Sequence, residues 1–285
     1  MNTFQKVIKY AAITFAVILA VGIVSGIVGL ARFAVSLFDE RKDYKNYKGE
    51  NTMNFFEEFD NVDKLDIENG VGKLIVKSGD GKTVKVEGYN VSSSFKATVR
   101  NNTLYIKEEG LAKKFLGLEF GTYDKDSSIT VYLPDEFTAR EIHIKSGAGK
   151  VILEDWSTEK LIIDAGVGDI SAQNITAKSV EGNGGVGDIT FNGVHLTDVN
   201  FDCGVGNLKI EGTILGDSEF DSGVGNIELN IEGSRKDYIL NIDSGLGSIR
   251  VNGEKVSADY KDSYEAPNTI SIDGGVGNVD IDFVY

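Results

Sequence analysis

From Val151 onward, apolar residues come in pairs separated by a single position that is usually polar. The pairs are Val151 and Leu153, Ile170 and Ala172, Ile189 and Phe191, Leu208 and Ile210, Ile227 and Leu229, Ile249 and Val251, and Val279 and Ile281. An alternation of period two describes one buried face of a strand. A looser set precedes each pair: Leu161 and Ile163, Val180, Val199 and Phe201, Phe220, and Ile239 with Asn241 and Ile242 nearby. Between the two sets lies a Gly-apolar-Gly tripeptide. It begins at Gly147, Gly166, Gly185, Gly204 and Gly223, every interval being 19 residues, then at Gly245 and Gly275 after gaps of 22 and 30. An early copy begins at Gly70, and the second glycines are Gly72, Gly149, Gly168, Gly187, Gly206, Gly225, Gly247 and Gly277.

A fixed period of this length predicts stacked structural repeats rather than one globular core. Each coil reads as a strand, a glycine corner, a strand and a looser return. Equivalent strands would pair in parallel about 4.8 Å apart, burying the apolar columns as a continuous core. The predicted fold is all-β, a single-stranded parallel β-helix (a β-solenoid) with ~19-residue coils. The glycines are expected where a side chain would clash or a positive φ is needed. No helix follows any of them, so they do not form a phosphate-cradling loop.

Between Gly81 and Arg140 the repeat is irregular, yet TVKVEG, FKATVRNNTLYIKEE and SSITVYLP still alternate as strands. Asn101-Asn102 predicts a hairpin turn. Residues 110–122 form an apolar loop expected to act as a cap or a contact surface, and Val256 to Asn268 is the largest insertion in the regular part. The sequence stops at NVDIDFVY, directly on a strand. Either neighbouring residues shield that edge, or it pairs with another molecule.

The only long apolar stretch is residues 10–38, uncharged from Tyr10 to Ala31. Those 22 residues are enough to cross a hydrocarbon layer of about 30 Å as a helix. A cleavable signal would have a shorter apolar region and a small-x-small cleavage site. The expected organisation is therefore a cytoplasmic tail at 1–9, a single-pass signal anchor at 10–38, a juxtamembrane linker at 39–58 and a solenoid at 59–285. The solenoid divides into an irregular part at 81–140 and regular repeats at 141–285. Counting Lys and Arg in the flanks slightly favours an inward solenoid. Gly22 and Gly26, and Ser25 and Gly29, stand four apart, a spacing that lets transmembrane helices approach one another. Weak self-association through this helix or through a solenoid end is thus an open alternative.

Charge narrows the partners. The chain carries 29 basic and 44 acidic residues, a net charge of -15. The acidic excess lies beyond residue 49, where no basic stripe offsets it, so nucleic acid is excluded as a partner. With 34 glycines but only 2 prolines and no glycine at every third position, collagen is excluded too. Cys203 is the sole cysteine, so no intrachain disulfide can form. Its counterparts in other repeats are Ala165, Gly184, Ser222, Ser244 and Gly274, which marks a small-residue slot.

Two acidic columns flank the corner. Before it stand Asp164, Asn183, Asp202, Asp221, Asp243 and Asp273; after it stand Asp169, Asp188, Asn207, Asn226 and Asn278. Calcium is the natural cation for such oxygens. However, Gly184-Gly185-Val186-Gly187-Asp188 puts its aspartate one residue early for the calcium nonapeptide repeat, and the period is 19 rather than 18 residues, so a solvated turn-forming ladder is the preferred reading. No metal or cofactor site is assigned. No acidic pair stands apart from the repeat, and His143 and His195 are not repeat-mates, so no catalytic residue is assigned either. His143, between Ile142 and Ile144, is expected to face outward. Trp156, Tyr123, Tyr132, Tyr260 and Tyr264 are the aromatic residues that could contact carbohydrate or protein.

SSITVYLPDEFTAREIHIKSGAGKVILED, followed by IDAGVGDI, GNGGVGDI, FDCGVGNL and FDSGVGNI, resembles the bacterial DUF4097 family of β-strand-repeat proteins over about residues 55–285. Members of that family are often labelled adhesins. The chain is also similar to solenoid modules attached to membrane anchors in bacterial envelope-stress systems. The resemblance implies a right-handed β-helix outside a membrane and transfers no catalytic residue. It supports an extracellular solenoid on a single-pass anchor. Two functions follow: a non-catalytic interaction or adhesin-like module at the cell surface, or an accessory or sensor component of an envelope-stress response. The partners would be envelope proteins or surface polymers.

Overall fold

The computed structural model describes residues 52–108, 112–115, 118–121, 127–135 and 137–284. The expected anchor and its flanks up to residue 51 lie outside the described residues. Those described belong to a compact unit spanning Asn51–Tyr285.

Strands dominate it; among the described residues the helical content is one 3-10 turn, Arg235–Asp237. The apolar pairs all face inward, from Val151 and Leu153 at 1% and 0% exposure to Val279 and Ile281 at 1% and 0%. The regular coils stack in parallel at the 19-residue offset. Ile170 lies beside Val151 and Ile189, Leu208 beside Ile189 and Ile227, and Leu161 beside Ile142 and Val180. The fold is thus all-β, a solenoid of repeated strands.

Two features depart from the order of the sequence. Strand Asn268–Val276 is held between Asp217–Val224 and Tyr238–Leu246, parallel to both. Its continuation, Val279–Val284, likewise lies between Ile227–Glu232 and Ile249–Val251. The chain therefore skips one level after Glu232, builds the end coil with residues 238–251, and returns to fill the gap. The last strand is not the open edge that its place in the sequence suggested. The end coil is covered instead by antiparallel strands, Asp259–Lys261 on Tyr238–Leu246 and Glu254–Val256 on Ile249–Val251. The insertion at residues 256–268 supplies part of this cover.

The amino-terminal end follows the same scheme. Lys64–Ser78 lies one level in, beside Thr138–Glu154. The outer level consists of Thr103–Lys107 and Ser128–Leu133. Antiparallel strands Lys96–Arg100 and Val84–Ser92 cover that level, and Thr52–Phe59 pairs in turn with Val84–Ser92. Thr52–Phe59 is therefore strand where the sequence suggested linker up to residue 58. The hairpin read at Asn101-Asn102 forms, with φ of 49° and 60° at the two turn residues. Two positive φ values make the mirror-image turn whose twist matches the flanking strands.

The corner glycines answer to close approach. A Cβ on Gly166 would lie 2.4 Å from the Gly147 carbonyl oxygen, and one on Gly168 would lie 1.7 Å from that of Gly149. The second glycine of the corner, Gly247 excepted, also has a positive φ, 142° at Gly168. Successive corners thus nest carbonyl against Cα, which no other residue permits. Elsewhere small faces large: Phe201 lies beside Gly182, where a Cβ would come within 2.1 Å of the ring, and its edge meets Phe191 at 6.1 Å and 89°.

One inward frame differs from expectation. Leu240 and Ile242 are buried, while Ile239 and Asn241 lie on the outer face. YILNID offers apolar residues in both phases; pairing of Leu240 with Ile270 and of Ile242 with Ile272 selects one.

Candidate interaction surface

The glycine corner projects three parallel columns outward, and register determines each. The first holds Asp164, Asn183, Asp202 and Asp221 at successive levels, then Asp273, Asp243 and Asp259. Spatial order thus places Asp273 before Asp243, against sequence order. From Asp202 to Asp259 every level carries a carboxylate, at a spacing of about 4.8 Å. Partial burial and the neighbouring Glu219, Asp273 and Asp202 push the Asp221 carboxyl above its ordinary range. At the other end of the column, Asn183 donates to Asp164 at 2.9 Å and holds that carboxyl low, helped by His143.

The second column is the middle residue of the tripeptide. It runs in register from Val71 and Ala148 through Val167, Val186, Val205, Val224 and Val276 to Leu246. Val167 is 56% exposed and Leu246 39%, while the other members are half-buried, so an apolar ridge runs beside the carboxylate row. The sequence shows this column plainly, but its outward direction follows only from the bend at the corner.

The third column contains Asp169, Asp188, Asn207, Asn226, Asn278 and Ser248, and its role is internal. The backbone N–H of Asp188 donates to Asp169 Oδ1 at 3.2 Å, that of Asn207 to Asp188 Oδ1 at 2.9 Å, and that of Asn226 to Asn207 Oδ1 at 3.1 Å. The series continues from Asn278 to Asn226 and from Ser248 to Asn278. These side chains satisfy backbone donors at the bend, where sheet pairing lapses. The two columns grouped together as candidate cation ligands therefore perform different tasks. Among the described residues, no group of His, Cys, Asp and Glu converges as a metal site.

Near the carboxyl-terminal end the acidic row borders a groove of 190 Å³ lined by Glu219, Asn241, Asp243, Asp259, Lys261 and Asp273, among others. Beyond this groove, a cluster locks the covering loop. Arg235 pairs with Asp262 at 2.6 Å, Asp262 accepts the Leu240 backbone N–H at 2.7 Å, and Tyr260 donates to Asp262 at 3.1 Å. Tyr264 donates to the Tyr238 carbonyl at 2.7 Å. No sequence motif signals this cluster.

The remaining candidates separate. His143 lies on the outer face between Asp66 and Asp164, at 3.7 and 3.2 Å. His195 is on a different strand, beside Thr176 and Thr213, so the two histidines are not brought together. Cys203 is 3% exposed, and burial with Asp202 and Asp221 pushes its thiol to about 12, which makes it inert filling for the small slot. Trp156 is also core, 5% exposed and donating to the Val76 carbonyl at 3.0 Å, which removes it from the surface aromatics. Tyr132 bonds Glu87 at 2.9 Å with Lys85 over its ring, and Tyr260 and Tyr264 belong to the loop lock. Tyr123 lies outside the described residues.

Solved structures are similar to this fold. A candidate cell adhesion protein from Clostridium sporogenes is 17% identical, with a TM-score of 0.38 over 82% of this chain and 100% of that one. A candidate adhesin from Bacteroides fragilis is 19% identical, with a TM-score of 0.47 over 82% and 98%. One from Parabacteroides distasonis is 12% identical, with a TM-score of 0.44 over 82% and 97%. No curated protein matches the chain. The family described as Toastrack DUF4097 matches residues 62–281, spanning most of the repeats, both end coils and the corners between them, and the chain belongs to it.

Proposed function

We propose that this chain is a non-catalytic, adhesin-like interaction module, held at a bacterial cell surface by a membrane anchor at residues 10–38 with the solenoid outside. The observation that carries the interaction reading is the apolar ridge lying beside an unbroken carboxylate row at the same corner. A solvated surface has no need of a column of half-buried valines with Val167 and Leu246 exposed, and like charges at this spacing repel one another. A partner presenting basic and apolar groups along an extended segment would cover the ridge and relieve the repulsion. Envelope proteins and surface polymers are the candidate classes.

Crosslinking in intact cells tests the reading. Capture of a surface partner that falls when Asp202 and Asp221 are both replaced by Asn supports it; undiminished capture removes the acidic row from the interaction. A reporter active only outside the cytoplasm, fused after residue 285, tests the orientation. An expressed but silent fusion overturns it. Resemblance to anchored solenoids of envelope-stress systems supports a second reading as an accessory component, and crosslinking that recovers only membrane kinases would favour it.

A further inference from the structure

Behind the glycine corner runs an inward column of small residues: Ser146, Ala165, Gly184, Cys203. At the amino-terminal end it changes character. Asn69 occupies the slot beside Ser146, and Glu108 follows it one level out, its backbone N–H donating to the Glu68 carbonyl at 3.0 Å. Both side chains are buried, with Asn69 1% and Glu108 8% exposed. Glu108 Oε1 accepts the Ser92 backbone N–H at 2.9 Å and the Ser127 hydroxyl at 3.5 Å. The Asn69 amide donates to the Gly72 carbonyl at 3.4 Å, which sets the direction in which its oxygen points. Among the described residues, two acceptors remain buried without a partner, Glu108 Oε2 and Asn69 Oδ1.

Adjacent slots and two bare acceptors with no donor paired to either among the described residues lead to a simple chemical conclusion. A buried ionised carboxylate with one oxygen unpaired is costly, and so is a buried amide oxygen without a donor. One proton on Glu108 removes both deficits, because a neutral carboxyl is a donor as well as an acceptor. We propose that Glu108 and Asn69 form a proton-binding site, in which Glu108 is neutral in the folded protein and donates from Oε2 to Asn69 Oδ1. Burial pushes the Glu108 carboxyl up, against the lowering effect of its bonds from Ser92 and Ser127.

Among the described residues, the charged groups on the surrounding strands do not offset the ionised form. Glu68 and Lys107 face outward and pair with each other at 3.3 Å, and Lys145 faces outward from the next level. The segment 91–95 brings only Val91, three serines and Phe95. Glu108 follows strand Thr103–Lys107 directly, so ionisation would loosen that outermost parallel level against Lys64–Ser78.

The sign is determined by linkage. A carboxyl whose folded value is raised contributes fully below the ordinary value of about 4.3, and that contribution is lost as pH rises through the folded value. Thermal unfolding of the full chain, followed by its β-sheet signal from pH 4 to pH 8, tests this beside Glu108→Gln. Glutamine keeps the acceptor for Ser92 and supplies a permanent donor to Asn69. The variant is expected to melt several degrees above the unmodified chain at pH 8, with the gap closing toward pH 4. A gap that stays constant with pH, or a variant less stable at pH 8, overturns the proposal; the latter is the result if a water bridges an ionised Glu108. Infrared spectra provide a direct readout: the protonated-carboxyl band assigned to Glu108 must be present at pH 7 and absent from Glu108→Gln.

Discussion

Gly168 lies against the carbonyl oxygen of Gly149, one coil away, so closely that a Cβ would fall 1.7 Å from it. Its φ is 142°, a conformation that L side chains rarely adopt. Gly168→Ala must therefore push two coils apart as well as strain the backbone. The expected loss is about 3 kcal/mol or more, beyond the range of ordinary surface changes. Gly253→Ala is the control: φ is 76°, with nothing within 4 Å of the added carbon. Only left-handed strain of about 1–2 kcal/mol remains there. Equal losses in chemical denaturation would show that coil contact is not what the corner glycines protect.

Asp221 lies in the carboxylate row with its carboxyl pushed above the ordinary range. By linkage it opposes folding progressively as pH rises past that range, so Asp221→Asn is expected to stabilise at pH 7 and to have little effect at pH 3. The side chain is exposed, and the gain should stay within about 0.5 kcal/mol. Salt should reproduce it in the unmodified chain by screening the row. A destabilised variant at pH 7 would mean that the row makes a favourable contact of its own.

Strand Asn268–Val276 is the only parallel partner of Tyr238–Leu246 among the described residues. Ending the chain after Pro267 should therefore release the end coil. Hydrogen exchange is expected to show residues 238–251 losing protection while residues 157–215 retain theirs. Continued protection of 238–251 would mean that the end coil closes directly onto Asp217–Val224.

Arg235→Ala removes the cation facing Asp262, whose side chain is 6% exposed. A buried carboxylate left without its partner costs about 3 kcal/mol or more. Arg235→Lys should recover only part of this, because Arg235 also donates to the Tyr238 carbonyl at 2.7 Å through its planar fork. The Arg235→Ala/Asp262→Ala double variant should be more stable than Arg235→Ala alone. If it is less stable, the pair is not the source of the effect.

Much of the surface was legible in the sequence, but not its geometry. The two Asp/Asn columns could be aligned from the glycine beat alone. That one column feeds its oxygens to backbone N–H groups while the other turns its carboxylates outward was decided only by the fold, because both residue types suit both tasks. The outward ridge from Val71 to Leu246 was likewise visible as letters. Apolar residues are ordinarily assigned to a core, and only the turn of the backbone between two glycines directs these outward. Trp156 was misread for the converse reason, since a single aromatic outside the repeat carries no direction. Asn69 could have been flagged as the polar exception in a small-residue slot, but its neighbour Glu108 comes from a level with no glycine corner to align.

The sequence by itself determined the strand class, the 19-residue coil, the inward apolar pairs and the places where only glycine fits. These follow from local alternation and from contacts between each coil and an identical neighbour. The tertiary structure alone decided which coil lies beside which at the two ends. Every level of a parallel stack presents the same hydrogen-bonding ladder and the same apolar columns, so a coil fits equally well against several others. At the carboxyl-terminal end the choice fell to the segment after Glu232, locked by Arg235 and Asp262, and to the strands that cover the final edge.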